Sequence, residues 1–348
     1  MSRALGAMLA VGLLAVAPQV AAAQDPLFES NETLKIRITA PLREMARDRD
    51  PEPKYRPATL EYIEADGSAA ELAVRLRPRG KSRRTADYCQ FPPLRLNLPR
   101  DAVKDTMFDG QRNLKLVTHC RTAKRHDSFI QREYLAYRML NQVTDASFRV
   151  RPLEVEWVDA DRPGASERRF GFVIEHKRRM ARRVGLKEAT VERLQPEQLE
   201  SAHASLMDVF QYMIGNTDWS FISPWGDEAC CHNTTLLSNA DGSYRPMPFD
   251  FDVTGFVNPP YAVVDGSLSI NSVRQRLFRG FCRTDDSHAQ AVVQMQAARA
   301  AIFEVLQNET ELDDRNRNSA LKYIEDFYKI LDDPRQLERR VLGACRRV

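Results

Sequence analysis

Three short stretches hold the residues whose types and order could do chemistry. Gly215-Asn216-Thr217-Asp218-Trp219-Ser220 comes first, His232-Asn233-Thr234-Thr235-Leu236-Leu237 second, and Pro248-Phe249-Asp250-Phe251-Asp252 third. An acid sits in a loop just past a helix end. An asparagine, a short apolar strand, a turn and an acidic pair follow. Phosphoryl transfer from a nucleotide needs these parts: a carboxylate orients the hydroxyl nucleophile, and Asn and Asp oxygens hold Mg²⁺ against the phosphates. Other chemistries lack their residues. There is no G-x-G-x-x-G, no G-x-S-x-G and no H-E-x-x-H. Gly80-Lys81-Ser82 looks like the end of a P-loop, but the first glycine of that motif would fall on Arg75. Without a Cys-x-x-Cys, zinc-ribbon and thioredoxin-like sites have no support.

The positioning elements can be read from hydrophobic period. Leu72, Val74 and Leu76 alternate with Ala73, Arg75 and Arg77 behind an Asp66-Gly67 turn. Leu94-Leu96-Leu98, Leu114-Leu116 and Leu153-Val155-Trp157 alternate in the same way, and Phe170 to Glu175 follows a polar turn. These predict an antiparallel sheet. A helix over Ser128 to Val143, with Asp127 as cap, interrupts it and carries Phe129, Glu133, Ala136, Leu140 and Val143 on one stripe. Glu133 on an apolar stripe calls for a buried cation. Further helices are predicted over Pro196 to Ile214, His288 to Gln307, Arg315 to Leu331 and Pro334 to Ala344. The stretch between Gly215 and His288 is rich in loops.

The order of the three motifs resembles the catalytic half of the atypical protein-kinase-like enzymes of the CotH and HipA-type families. Those show Gly-Asn-x-Asp, then Asn, then an aromatic residue with Asp. The resemblance implies an α+β, two-lobed protein-kinase-like fold. Its antiparallel-sheet N-lobe would span residues 24–185, and its mainly helical C-lobe, 186–348, would carry the catalytic and metal loops. It implies Asp218 as catalytic base and Asn233, Asp250 and Asp252 as metal ligands. Arg79-Gly80-Lys81-Ser82 resembles the turn that CotH-like proteins keep in place of a Gly-rich loop, which puts Arg79, Gly80 and Ser82 on the nucleotide. Lys115 would neutralise phosphate charge while held by Glu133, with Arg95 as its rival, and Glu175 would stand at the hinge. The implied cofactor is ATP, or another nucleoside triphosphate, with Mg²⁺ or Mn²⁺. One departure stands out. Asn233 follows Asp218 by 15 positions, where the kinase catalytic loop has about five. Phe221 to Cys231 therefore reads either as a disulfide-tied flap over the site or as a sign that the site has drifted from the family pattern.

Composition and the first residues bound the setting. At 348 residues, 43% hydrophobic and 28% charged, the chain is neither fibrous nor wholly disordered. Its formal charge of +3 gives no bulk case for nucleic acid. Arg3, the apolar run Ala4 to Val16 and Ala21-Ala22-Ala23 predict a signal peptide over 1–23. No later apolar run reaches the ~20 residues of a membrane span. The expected location is exported, periplasmic or extracellular, where six cysteines predict disulfides. Cys89 with Cys120 is the leading pair, and Cys230 or Cys231 with Cys282 the second. The expected function is a metal-dependent phosphotransferase moving a nucleotide phosphate to a hydroxyl of a protein or glycan acceptor in the cell envelope. The alternative is a non-catalytic exported kinase-like module. It would hold an anionic envelope polymer on a basic strand edge made of Arg75, Arg77, Arg79, Lys81, Arg83 and Arg84.

Overall fold

The computed structural model describes residues 25–347 except 81, 163, 225, 227 and 228. The expected signal peptide and Lys81 thus lie outside the described residues. Seven strands form one sheet: β1 (Leu34–Ala40), β2 (Arg56–Ile63), β3 (Ala69–Pro78), β4 (Leu94–Asn97), β5 (Asn113–Val117), β6 (Val150–Asp159) and β7 (Ser166–Ile174). Their order is β1-β2-β3-β4-β5-β7-β6, and the sheet closes into a barrel. Closure comes from a parallel pairing of β1 with β6, in register from Leu34↔Leu153 to Ala40↔Asp159. The other neighbours in the barrel pair antiparallel.

This overturns the expected two-lobed protein-kinase-like fold with its antiparallel-sheet N-lobe: the sheet is a closed, mixed barrel. The physical reason is the strand β1. Leu34, Ile36, Ile38 and Ala40 all point into the interior. A strand with one apolar face is stable only when that face is covered, and β1 covers it by joining β2 to β6. Closure removes the free edges that an open sheet would expose. It also removes the basic strand edge of the polymer-binding alternative, because β3 is paired on both sides.

Inward side chains of the barrel strands, joined by Leu27, Met45, Val103 and Phe108, make one hydrophobic core. The second core is larger. It is built on α3 (Asp127–Val143) and α5 (Ser201–Ile214), with α6 (Ser287–Ala297), α7 (Arg299–Gln307) and α8 (Asp314–Asp332) around them. A three-stranded sheet of β8 (Lys187–Ala189), β9 (Thr234–Ser238) and β10 (Tyr244–Pro248) lies in the order β10-β9-β8. Short helices complete the chain: α1 (Pro26–Glu29), α2 (Leu42–Arg47), α4 (Lys177–Arg183) and α9 (Pro334–Arg340).

Because α3 is enclosed by the barrel wall and the C-terminal helices, even its polar residues Gln131, Arg132 and Glu133 are buried. Buried polar groups must be paired. Gln131 donates to the Glu311 carbonyl at 2.7 Å, and Arg132 to the carbonyls of Phe256 and Asn316. Glu133 turns toward the site described below. α5 ends at Gly215, whose φ of +64° closes the helix, and a Cβ there would collide with the Tyr323 hydroxyl.

Cys89 bonds Cys120, as expected, tying the end of the β3–β4 connection to the chain just past β5. Cys282 bonds Cys345 across 63 residues. The expected link from Cys230 or Cys231 to Cys282 is not formed, since Cys230 and Cys231 bond each other. Sequence spacing gave no sign that the C-terminal 3₁₀ turn returns to Phe281, where Arg346 lies alongside it. Among the described residues, no helix is long and apolar enough to cross a membrane. Since a bridge over a loop of this length restrains the unfolded chain, a Cys282→Ser/Cys345→Ser variant should lose about 2–4 kcal/mol in urea unfolding. An unchanged midpoint would show that this bridge does not form in solution.

Candidate functional site

The site is organised by the end of α5. Asn216, buried just past Gly215, accepts the Asp218 N–H on its Oδ1 at 2.9 Å and donates to the Gln211 side chain at 3.0 Å. That fixes the Asp218 backbone. The loop carrying Asp250 and Asp252 docks on the same helix end, through Gly255 N to Gly215 O at 3.0 Å and Phe256 N to Ile214 O at 2.9 Å. One terminus therefore places both acidic elements.

The 15-residue gap is closed by a pinned neck. Ser220 N donates to His232 O, and His232 N to Ser223 O, both at 3.1 Å. The chain leaves at Ser220 and returns at His232, which brings Asn233 back to Asp218. Asn233 Nδ2 donates to the Asp218 carbonyl at 2.7 Å and to Asp218 Oδ2 at 3.1 Å. His232 Nε2 lies 2.7 Å from Asp218 Oδ1. The Asp218 side chain remains 49% exposed, open to an incoming group. With its amide nitrogen so engaged, Asn233 keeps Oδ1 for a cation. Phe249 N donates to Asn233 O at 3.0 Å, linking this pair to the third motif.

The third motif alternates. Phe251 is fully buried against Tyr137 and Phe210, and Asp250 and Asp252 point the other way. The Asp250 N–H donates to the Tyr137 hydroxyl at 2.8 Å. Asp250 (φ +64°) and Asn233 (φ +50°) both hold left-handed backbone, which Asp and Asn tolerate best among residues with a Cβ.

Among these acids lies a residue outside the expected site set. Arg83, 7% exposed, reaches Glu133 Oε2 at 3.3 Å, Asp250 Oδ1 at 3.2 Å and Asp252 Oδ2 at 3.2 Å. Glu133 thus has the buried cation its position calls for, but that cation is Arg83. The expected Lys115–Glu133 pair does not form. The turn that delivers Arg83 is the Arg-Gly-x-Ser segment. Gly80 takes φ +86°, its carbonyl accepts from Arg84 at 2.6 Å, and Ser82 opens a 3₁₀ turn whose carbonyl accepts from Thr85. Gly80 and Ser82 therefore shape the turn. Tyr261, also outside the expected set, donates to Asp252 Oδ2 at 3.3 Å. Burial pushes the Glu133 carboxyl up to about 7, against the pull of Arg83. Burial, with repulsion from Asp250 and Asp218, carries Asp252 to about 6. Asp250 differs: burial raises it, but Arg83, Arg79 and Lys115 together hold it below the ordinary carboxylate range.

Lys115 instead sits over the Phe249 ring, 4.0 Å from its centre, in a cavity of about 450 Å³. Ile174, Thr235 and Leu236 also line this cavity, with Glu175 at its edge. The Glu175 carboxylate is engaged by Arg183 at 2.8 Å and by the Arg149 N–H at 3.1 Å. In register, Lys115 faces Arg95, and Arg95 faces Arg77. Like charges directly opposite on neighbouring strands repel. Arg79, two residues past Arg77, buries Nε and Nη2 with no hydrogen-bond partner. Arg77 stacks on Tyr55 at 4.7 Å, and its Nε is likewise unpartnered. Burial, with repulsion from Arg79, Arg95 and Lys177, lowers the Lys115 ammonium to about 7.

The donor set fits a polyphosphate. Lys115 and Arg95 line the cavity, Arg77 faces Arg95 in register, and Arg79 is close enough to act on both Lys115 and Asp250; Arg77 and Arg79 carry buried N–H groups with no hydrogen-bond partner. For a divalent ion the fit is sparser. Among the described residues, no three His, Cys, Asp or Glu side chains are grouped to hold a metal. Such sparseness suits Mg²⁺, which takes one or two carboxylates and completes its shell with phosphate oxygens and water. Asp250 and Asn233 Oδ1 are the protein donors available, and Asp252 would have to share Arg83. The chain matches no known family model and no curated protein.

Two variants test this electrostatic picture. Arg83→Gln should cost about 3–5 kcal/mol in urea unfolding at pH 7, because it leaves carboxylates buried without their cation. Part of the loss should return at pH 5, where the folded state can protonate Glu133 and Asp252. No change at pH 7 would mean Arg83 lies in water. For Lys115, the folded pKa is about 7 and the ordinary value 10.5. Between them the unfolded chain binds the extra proton, so stability rises with pH across that window. Lys115→Met should abolish that rise, measured as the melting point from pH 7 to 9.5. Parallel curves for the two proteins would place a charged, solvated ammonium at position 115.

Proposed function

We propose that this protein is a metal-dependent phosphotransferase that moves a nucleotide phosphate to a hydroxyl of a protein or glycan acceptor in the cell envelope. The supporting observation is the rim of Lys115, Arg79 and Arg95 beside Asp250, whose repulsion and unused donors a polyphosphate would relieve. The order of motifs that resembles CotH and HipA-type enzymes supports it as well. So do the disulfides, which fit an exported protein behind the signal expected over residues 1–23.

In this reading the nucleoside lies in the cavity between Ile174, Leu236 and Phe249, with its phosphates toward Lys115 and Arg79. Mg²⁺ or Mn²⁺, when bound, supplies positive charge at the phosphate oxygens, and Asp250 and Asn233 would hold it. Phosphate binding returns a proton to Lys115, since an adjacent anion favours the ammonium. Asp218, half exposed, orients the acceptor hydroxyl and takes its proton as the oxygen attacks the terminal phosphorus, and the nucleoside diphosphate leaves with the bridging oxygen. Arg83 keeps Glu133 and Asp252 neutralised, so that Asp250 is the carboxylate presented to the phosphates.

Nucleotide with Mg²⁺ should stabilise the protein more than either alone. At a hundred times Kd the gain is about 2.7 kcal/mol, or a rise of about 4 °C for a chain of this size. Asp250→Asn should abolish that rise, and it should also lower the melting point of the ligand-free protein, because Arg83, Arg79 and Lys115 all favour its charge. Asp218→Asn should keep the rise and lose transfer to a hydroxyl acceptor. If ATP, GTP and CTP give no metal-dependent shift, the phosphotransfer proposal fails.

A further inference from the structure

Beside the β4–β5 connection lies a larger opening than the cavity at Lys115. This cleft, about 950 Å³, is lined by the β4–β5 connection, by α4 and by the start of the described chain. It borders the nucleotide-sized cavity at Glu175, which lines both, and at the step from Arg112 to Asn113. On its far side it runs through Glu29, Arg149 and Arg183 into a third hollow of about 330 Å³. The result is a long furrow rather than a closed pocket.

The cleft's charges fall into two groups. Arg179 and Arg183 are committed inside the fold, Arg179 to Asp25 at 2.8 Å and Arg183 to Glu175 at 2.8 Å. These pairs hold α4 and the N-terminal segment in place and use up the two buried acids of the wall. Arg100, Lys104, Arg112, Arg149 and Arg182 form the second group. They line the same cleft, four of them are exposed, and none makes an ion pair among the described residues. The other acids of the cleft are Glu29, which accepts the Asp25 N–H at 3.2 Å, and the exposed Asp101 and Asp109. Cations therefore outnumber the remaining acids, and a concave surface focuses their field.

We propose that this furrow is a binding site for a linear polyanion, a chain bearing closely spaced phosphate, sulfate or carboxylate groups. The proposal does not rest on phosphotransfer. Asp218 and Asn233 do not line the cleft, so the site holds a partner without acting on it. Arg100, Arg112 and Arg182 supply the contacts. Their side chains are exposed and unpaired, so replacing them removes charge without removing packing.

The test uses inorganic polyphosphate and, separately, a sulfated oligosaccharide as probes, with binding followed by fluorescence anisotropy across a salt series. The Arg100→Gln/Arg112→Gln/Arg182→Gln variant should bind each probe at least tenfold more weakly. Its salt slope should fall by about 2–3, one counterion per lost contact. A charge-matched control, Lys322→Gln/Arg335→Gln/Arg339→Gln, changes three exposed cations on α8 and α9 and should bind like the wild type. Orthophosphate should compete poorly, since one phosphate group cannot span the furrow. Equal losses in both variants would mean bulk charge alone attracts the probes and would overturn the site, as would wild-type protein that binds neither. Nucleotide-dependent stabilisation should be unchanged in the cleft variant, so the two proposals fail separately.

Discussion

Arg83 is the interaction on which the rest of the site depends. It leaves the barrel just past β3 and is the cation shared by α3, through Glu133, and by the loop of Asp250 and Asp252. Three separate stretches of chain are thus joined at one guanidinium. Taking an arginine and the carboxylates of Glu133 and Asp252 out of water is costly, and the cost is recovered only while all the partners are present. The arrangement selects one geometry more than it adds stability. It also sorts the acids, leaving Asp250 ionised while Glu133 and Asp252 rise toward neutrality.

Much of the barrel was legible in residue alternation. β3, β4, β5, β6 and β7 stand where Leu72-Val74-Leu76 and its successors place them. β1 carried the same signal in Leu34-x-Ile36-x-Ile38, but its pairing did not. Whether a strand ends a sheet or closes it is decided by a partner more than a hundred residues away, and local pattern does not encode that. The closure is what separates this molecule from the two-lobed fold that the motifs imply.

Within the site, local geometry was legible and long-range choice was not. Glu133 on an apolar stripe announced a buried cation. Lys115 looked suitable because it sits on a strand, whereas Arg83 looked solvated because strand alternation was carried past Pro78. The strand stops there, and the 3₁₀ turn that follows directs Arg83 inward. Asp218 and Asn233 could be named from their motifs, while their contact needed the neck between Ser220 and His232. The facing cations Arg77, Arg95 and Lys115 needed a register that only the folded sheet supplies.

That neck has a consequence for how such a site can change over generations. The segment beyond the neck is itself held at both ends, by the buried Phe221, by Leu194 N to Ile222 O at 3.0 Å and by Cys230 N to Val191 O at 3.1 Å, and Asp218 and Asn233 meet at its base. Doubling the length of a flexible excursion costs only about 0.6 kcal/mol in closure entropy. A change of length confined to the stretch between Ser223 and Cys230 should therefore leave the acid and the amide at the neck with their spacing. The spacing of Asp218 and Asn233 is set by the neck and not by the length of chain beyond it.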